Sequence, residues 1–350
     1  MQVAVKKSAA PNERANLAIN RADSDEAEED DCVERRGAAF GRAFGSFDAV
    51  VVAWVIALAA ITGVGMLPLF LYQLDLSTLT FSTPVPIVVG IGIELTAYAP
   101  TLAALLVVWL IPGGGGVRNL LRPVARWRVG IGWYFLALAG PTALFLVGDL
   151  LRLTLGLPLP ATWFTFPELA SFGFLLGALI AGSFGEEVGW RGLGQPRLQM
   201  RYGALTAAVI VGALWSAWHL WPVLAPGGLS STDASDVVLT FLRLGATAIV
   251  YAWLYNSTGG SLLIVMLAHA GHNVAVRLVP LDATLQHGDP VVTLLYCLAA
   301  TIVVALTGPR WLNRKRTYPT LGSNTEEARM PEETATRPRG VDAEGNGSSG

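Results

Sequence analysis

Two adjacent glutamates and an arginine stand inside an otherwise apolar stretch, GFLLGALIAGSFGEEVGWR from Gly173 to Arg191. A carboxylate at the centre of a bilayer costs a few kcal/mol, so a neighbouring pair calls for a reason. Read as a helix, Glu187 and Arg191 are four residues apart, the spacing at which opposite charges meet. Glu186 precedes Glu187 by one residue and points about 100° away from it. Arg191 is therefore expected to neutralise Glu187 and leave Glu186 free to act. Two histidines lie in other apolar segments: His219 in ALWSAWHLW, and His269 in LLIVMLAHAGHN with Asn273 one turn later on the same face. A buried glutamate beside a neutral imidazole can take a proton from water. The same three groups, Glu186, His219 and His269, could instead hold a zinc-like ion with a position open for water. Asn273 or His272 would then be a poor or optional fourth ligand, and Asn273 suits an oxyanion donor better. Either arrangement points to hydrolysis. Simple interhelical contacts would account for one histidine, but not for six polar groups spread over three apolar spans.

The motifs EExxxR (Glu186, Glu187, Arg191), aromatic-xxx-His (Trp215, His219) and HxxxN (His269, Asn273), in this order and spacing, resemble those of the CAAX-protease and bacteriocin-processing family of type II CAAX prenyl endopeptidases and abortive-infection proteins. The resemblance covers roughly Phe172 to Val276, about a third of the chain. Trp215 stands where phenylalanine is common, and His272 is an imidazole that the pattern does not require. The resemblance implies an intramembrane endopeptidase in which Glu186 activates water with the help of His219. It implies that His269 and Asn273 stabilise the oxyanion or help to hold an ion, and that Glu187 and Arg191 are supporting partners. Relatives are described both as metalloproteases and as glutamate-dependent enzymes. Their substrates are prenylated C-terminal peptides in eukaryotes, and bacterial relatives are linked to bacteriocin maturation or immunity. The competing class is a membrane transporter or scaffold that uses the buried charges as an ion relay. Internal repeats would favour transport, and the two halves share no convincing similarity.

The elements that must carry these groups are helical and membrane-embedded. The 350 residues are 53% hydrophobic and 14% charged, which sets the chain apart from ordinary soluble domains. Eight apolar segments approach the length of a bilayer crossing, at about 48–73, 86–111, 130–151, 169–190, 204–223, 237–256, 261–279 and 291–308. The fold class is all-α, a polytopic membrane protein of about eight transmembrane helices with an intramembrane catalytic cavity. Residues 1–46, with the acidic run 23–31, and 311–350 read as disordered tails flanking a membrane domain at 47–310 whose protease-like core is about 170–280. Gly113 to Gly116 read as a flexible joint, since no Lys-Ser/Thr follows as a phosphate loop requires. The eleven tryptophans fit interfacial belts. Cys32 and Cys297 are not expected to meet, and neither the charge of −2 nor any basic run suggests nucleic acid. The expected partners are membrane lipids and a peptide or protein substrate.

Gly173, Gly177, Ala181, Gly185 and Gly189 recur every four residues and offer a smooth face for close helix packing. Eleven Lys and Arg residues fall in loops on one side, Arg191 among them, against Arg152 and Arg277 on the other. That bias places both termini in the cytoplasm. Leu120 to Arg128 has the pattern of a short amphipathic helix on the inner leaflet, or of a plain basic loop. On this topology His219 lies roughly 22 Å deep and His269 roughly 12 Å, at 1.5 Å per residue. Glu186 reaches them only if its helix tilts, or continues through GWRGLGQPRLQM to about Leu198 with Pro196 bending it, lining a cavity open to the cytoplasm.

Overall fold

In the computed structural model, the structure describes residues 48–75, 84–111, 116–166, 173, 177, 182–230, 232–279 and 289–319. Residues before 48 and after 319, Gly113 to Gly115 of the glycine joint, and most of the fourth apolar segment before 182 lie outside the described residues, while 311–319, expected to open the disordered C-terminal tail, pack on the helices with Leu312 and Asn313 buried. Every regular element described is helical: α1 Ala49–Leu71, α2 Ile87–Ala97, α3 Ala99–Leu110, α4 Gly116–Leu121, α5 Ile131–Leu155, α6 Gln195–Tyr202, α7 Ala204–Trp218, α8 Trp221–Leu224, α9 Ala234–Ser257, α10 Leu262–Leu278 and α11 Pro290–Thr307. The protein is an all-α, polytopic integral membrane protein.

Among the described residues, five helical segments are long and apolar enough to cross a membrane: α1, α5, Ala204–Leu224, α9 and α11. The single span expected at 86–111 is instead a pair, α2 and α3, bent by 68°. Pro100 explains the break, because it sits in the first turn of α3 and has no N–H to bond back across the joint. The freed geometry is put to use. The Pro100 carbonyl accepts from Trp54 Nε1 on α1 at 3.0 Å, and a Cβ on Gly189 would lie 2.3 Å from the same oxygen. Only glycine allows that approach.

The expected glycine stripe therefore serves in part. Gly185 packs on the Tyr98 ring and Gly189 on Pro100, whereas Gly173 and Gly177 meet nothing within 4 Å among the described residues. Three tryptophans depart from the belt expectation, since Trp54, Trp190 and Trp215 are buried in the main core beside Val188, Val211 and Leu262, whereas Trp109, Trp127 and Trp163 are exposed. Trp54 and Trp190 meet edge to face at 5.0 Å.

The continuation of the motif-bearing helix is as the depth argument requires. Residues 182–187 are α-helical, Val188–Gly194 form a π-helical segment, and α6 carries on to Tyr202. Pro196 does not end the helix, because it falls in the first turn of α6, where its missing N–H is tolerated. A π-helical turn widens the helix locally and is a recurrent feature of functional sites. Here it contains Arg191. Two of the charges counted in loops prove to be buried: Arg191, and Arg152, which pairs with Asp289 at the head of α11. Ten against one remain, so the bias keeps its sign. The short helix expected over Leu120 to Arg128 is instead the last two residues of α4, a 3-10 turn at Arg122–Ala125 and non-helical backbone at 126–128.

Candidate active site

The site begins with a fully buried ion pair. Arg191 Nη1 donates to both oxygens of Glu187, at 2.9 and 3.0 Å, as the four-residue spacing foretold. A buried pair needs further partners to offset its desolvation, and both members have them. The Arg191 guanidinium lies over the rings of Trp215 and Tyr251, 4.4 and 5.0 Å from their centroids. Its Nε and Nη2 make no hydrogen bond among the described residues, and the negative ring faces take the place of acceptors. Glu187 Oε1 also accepts from His269 Nδ1 at 2.8 Å, which ties the residue just before the π-helical segment to α10.

That bond orients His269. Glu187, already engaged with Arg191, is an acceptor, so Nδ1 carries the proton and Nε2 is turned toward Glu186, 3.9 Å from its Oε1. The other oxygen of Glu186 accepts from Trp215 Nε1 at 2.6 Å. Glu186 is partly accessible, its side chain 12% exposed, whereas that of Glu187 is 0% exposed. Of the two glutamates, one is locked into the scaffold and the other faces the space around His269.

His219 caps the C-terminus of α7, and its Nδ1 lies 3.2 Å from the Trp215 carbonyl. A carbonyl only accepts, so Nδ1 carries the proton here too and Nε2 is left as an acceptor. Trp215 meets both imidazoles edge to face, each with centroids 5.5 Å away. The structure thus gathers Glu186, Glu187, Arg191, His219 and His269 around one indole. Asn273 follows His269 by one turn, is half-buried, and makes no side-chain hydrogen bond among the described residues. His272 is turned elsewhere, with Nδ1 2.6 Å from the Tyr296 hydroxyl.

Trp215 as a donor and Tyr251 as a face for Arg191 were not foreseen. The motif shows only that an aromatic precedes His219, and Tyr251 is spread among the apolar residues of α9. Glu94, Asp149 and Arg243 were also passed over, although a charge within an apolar span is the signal that marked Glu186.

The ion-holding alternative does not fit. Among the described residues, no group of three or more His, Cys, Asp or Glu side chains is placed to hold a metal ion. One oxygen of Glu186 faces an indole N–H, which can only donate, so a single carboxylate oxygen is left toward His269. The guanidinium of Arg191, stacked on Trp215, brings positive charge close to where a cation would have to sit.

Comparison with known proteins bears on this site. Residues 168–275 match a family model described as "Type II CAAX prenyl endopeptidase Rce1-like". The chain is 26% identical over 132 residues to a protein described as "CAAX prenyl protease 2" from Methanococcus maripaludis. The match covers 34% of this chain and 48% of the relative, so the chain spans about half the length of the curated protein that it matches. The stretch that carries the three motifs is thus similar to type II CAAX prenyl endopeptidases.

Proposed function

We propose that the protein is an intramembrane endopeptidase that hydrolyses peptide bonds of membrane-associated substrates with water activated by Glu186. The observation that carries this reading is the inequality of the two glutamates: Arg191 is spent on Glu187, while Glu186 stays partly accessible and faces His269. Prenylated C-terminal peptides are the first substrates to consider, because the relative is described as a CAAX prenyl protease.

The roles follow from the proton positions. Glu186 takes a proton from the attacking water, which the acceptor Nε2 of His219 helps to orient, and delivers that proton to the amine nitrogen as the C–N bond breaks. Two carboxylates against one guanidinium leave one buried negative charge uncompensated. A protonated His269 between them balances it, and its Nε2–H then becomes a donor to the tetrahedral oxyanion, with the Asn273 amide as the second donor. Glu187 and Arg191 hold this geometry without touching substrate. The charge bias of the loops supports an orientation with both termini in the cytoplasm.

Membrane-peptide profiles of cells carrying the wild type and Glu186→Ala test the reading. Substrate peptides should persist uncleaved in the variant. Identical profiles would oppose it.

A further inference from the structure

The chain that follows α11 is basic, and it is fastened to the helices. The Asn256 amide on α9 donates to the Trp311 carbonyl at 2.9 Å, and Asn313 Nδ2 donates to the carbonyls of Asn256 and Thr317 at 3.4 and 2.6 Å. Ala204 and Leu205, which open α7, donate their backbone N–H groups to the carbonyls of Arg310 and Pro309, each at 2.9 Å. Leu312 is fully buried and held at φ 47°, a left-handed backbone that a leucine keeps only where packing fixes it. The segment carries Arg310, Arg314, Lys315 and Arg316, and residues 290–319 include no acidic residue. Arg314 and Lys315 are exposed and make no side-chain hydrogen bond or ion pair among the described residues. Two uncompensated cations are thus carried on a backbone that is pinned in place.

They border a cavity of about 410 Å³ whose other walls are largely apolar. Trp133 comes from the first turn of α5, Trp253 from near the end of α9, and Val303 and Leu306 from the end of α11. The two indoles meet edge to face at 5.3 Å. All three helices are long and apolar enough to cross a membrane, and the cavity lies where they end, among indoles and cations of the kind that gather at the membrane–water boundary. Leu306 is 64% exposed, so the cavity opens onto the face that lipid covers.

This combination selects its occupant. A soluble anion would satisfy the cations and leave the apolar walls bare. A zwitterionic lipid would fill the walls but bring its own ammonium toward Arg314 and Lys315. An anionic phospholipid meets both demands, and the side of the bilayer toward which basic loops are drawn is the one rich in such lipids.

We infer that this cavity binds one anionic phospholipid, with acyl chain against Trp133, Trp253, Val303 and Leu306 and the phosphate held by Arg314 and Lys315. None of these residues belongs to the cluster around Trp215, so the inference stands apart from the endopeptidase reading.

The test uses the full-length protein in nanodiscs of equimolar phosphatidylglycerol and phosphatidylcholine with identical acyl chains. Native mass spectrometry counts the lipids that stay bound. Phosphatidylglycerol should be retained at least about tenfold over phosphatidylcholine, as two cations near one anionic headgroup lead one to expect. Arg314→Gln with Lys315→Gln should bring the ratio close to one, whereas Arg118→Gln with Arg122→Gln, in another basic loop, should leave it unchanged. Equal retention of the two lipids by wild type, or the same loss in both double variants, would overturn the site. Displacement of the lipid by millimolar inorganic phosphate would overturn it too, by assigning the cations to a soluble anion. A second measurement does not depend on the charge variants. Phosphatidylglycerol brominated on its chains should quench tryptophan fluorescence in wild type and less in Trp253→Phe. Equal quenching in the two proteins would place the chain outside the cavity and contradict the inference.

Discussion

The indole of Trp215 donates its Nε1–H to Glu186 Oε2 at 2.6 Å. A phenylalanine at this position would fill much the same space and offer no donor. The aromatic of the second motif therefore does more here than pack, because it fixes one oxygen of the proposed base and turns the other toward His269.

Trp215→Phe is expected to keep the fold but lower kcat/KM by about tenfold to a hundredfold, the range for losing a hydrogen bond to a charged group. The ring stack under Arg191 would survive in weaker form. Cleavage kinetics check this. Unchanged kcat/KM would mean that the indole bond does not position Glu186.

Arg191→Ala leaves Glu187 buried without its main counter-charge and should cost roughly 3–5 kcal/mol. Glu187→Gln should cost stability too, because it strands Arg191 and weakens the hold on His269. Thermal unfolding in detergent checks both. A melting temperature equal to wild type would contradict the buried network.

Much of this network was legible in the sequence because helical spacing is local. The Glu187–Arg191 pair follows from four residues of separation, and the continuing helix follows from matching the depths of Glu186 and the histidines. The bend between α2 and α3 was less visible, since the whole of 86–111 is apolar and a proline two residues into a new helix looks like any proline inside a span. Trp215 and Tyr251 were hidden for another reason. Which polar edge of a buried aromatic meets which partner is set by tertiary packing, and no periodicity records it. Counting Arg191 and Arg152 as loop charges was an error of the same kind, for each lies near the end of an apolar run and turns inward to a carboxylate.

Asn273→Ala should leave stability near wild type, because the half-buried amide has no hydrogen-bond partner to lose among the described residues. Activity should fall by about a hundredfold or more if the amide completes the oxyanion site. A paired measurement of melting temperature and kcat would show the split. A loss of stability with kcat retained would assign Asn273 to structure.

Chelators that leave the membrane intact should not inhibit cleavage, since no set of ligands converges on one point among the described residues. Metal analysis of the purified protein checks this. Stoichiometric zinc that disappears in a His219→Ala, His269→Ala double variant would contradict the water-activating role given to Glu186 alone.

The most direct measurement is peptide cleavage by purified Glu186→Gln beside wild type, with folding monitored in both. The substitution keeps the shape and can still accept from Trp215, but it removes the base. Cleavage should be abolished while the melting temperature stays close to wild type, because Glu186, unlike Glu187, has no ion pair at contact distance with an arginine or lysine among the described residues. Turnover near the wild-type rate would contradict the assignment of Glu186 as the group that activates water.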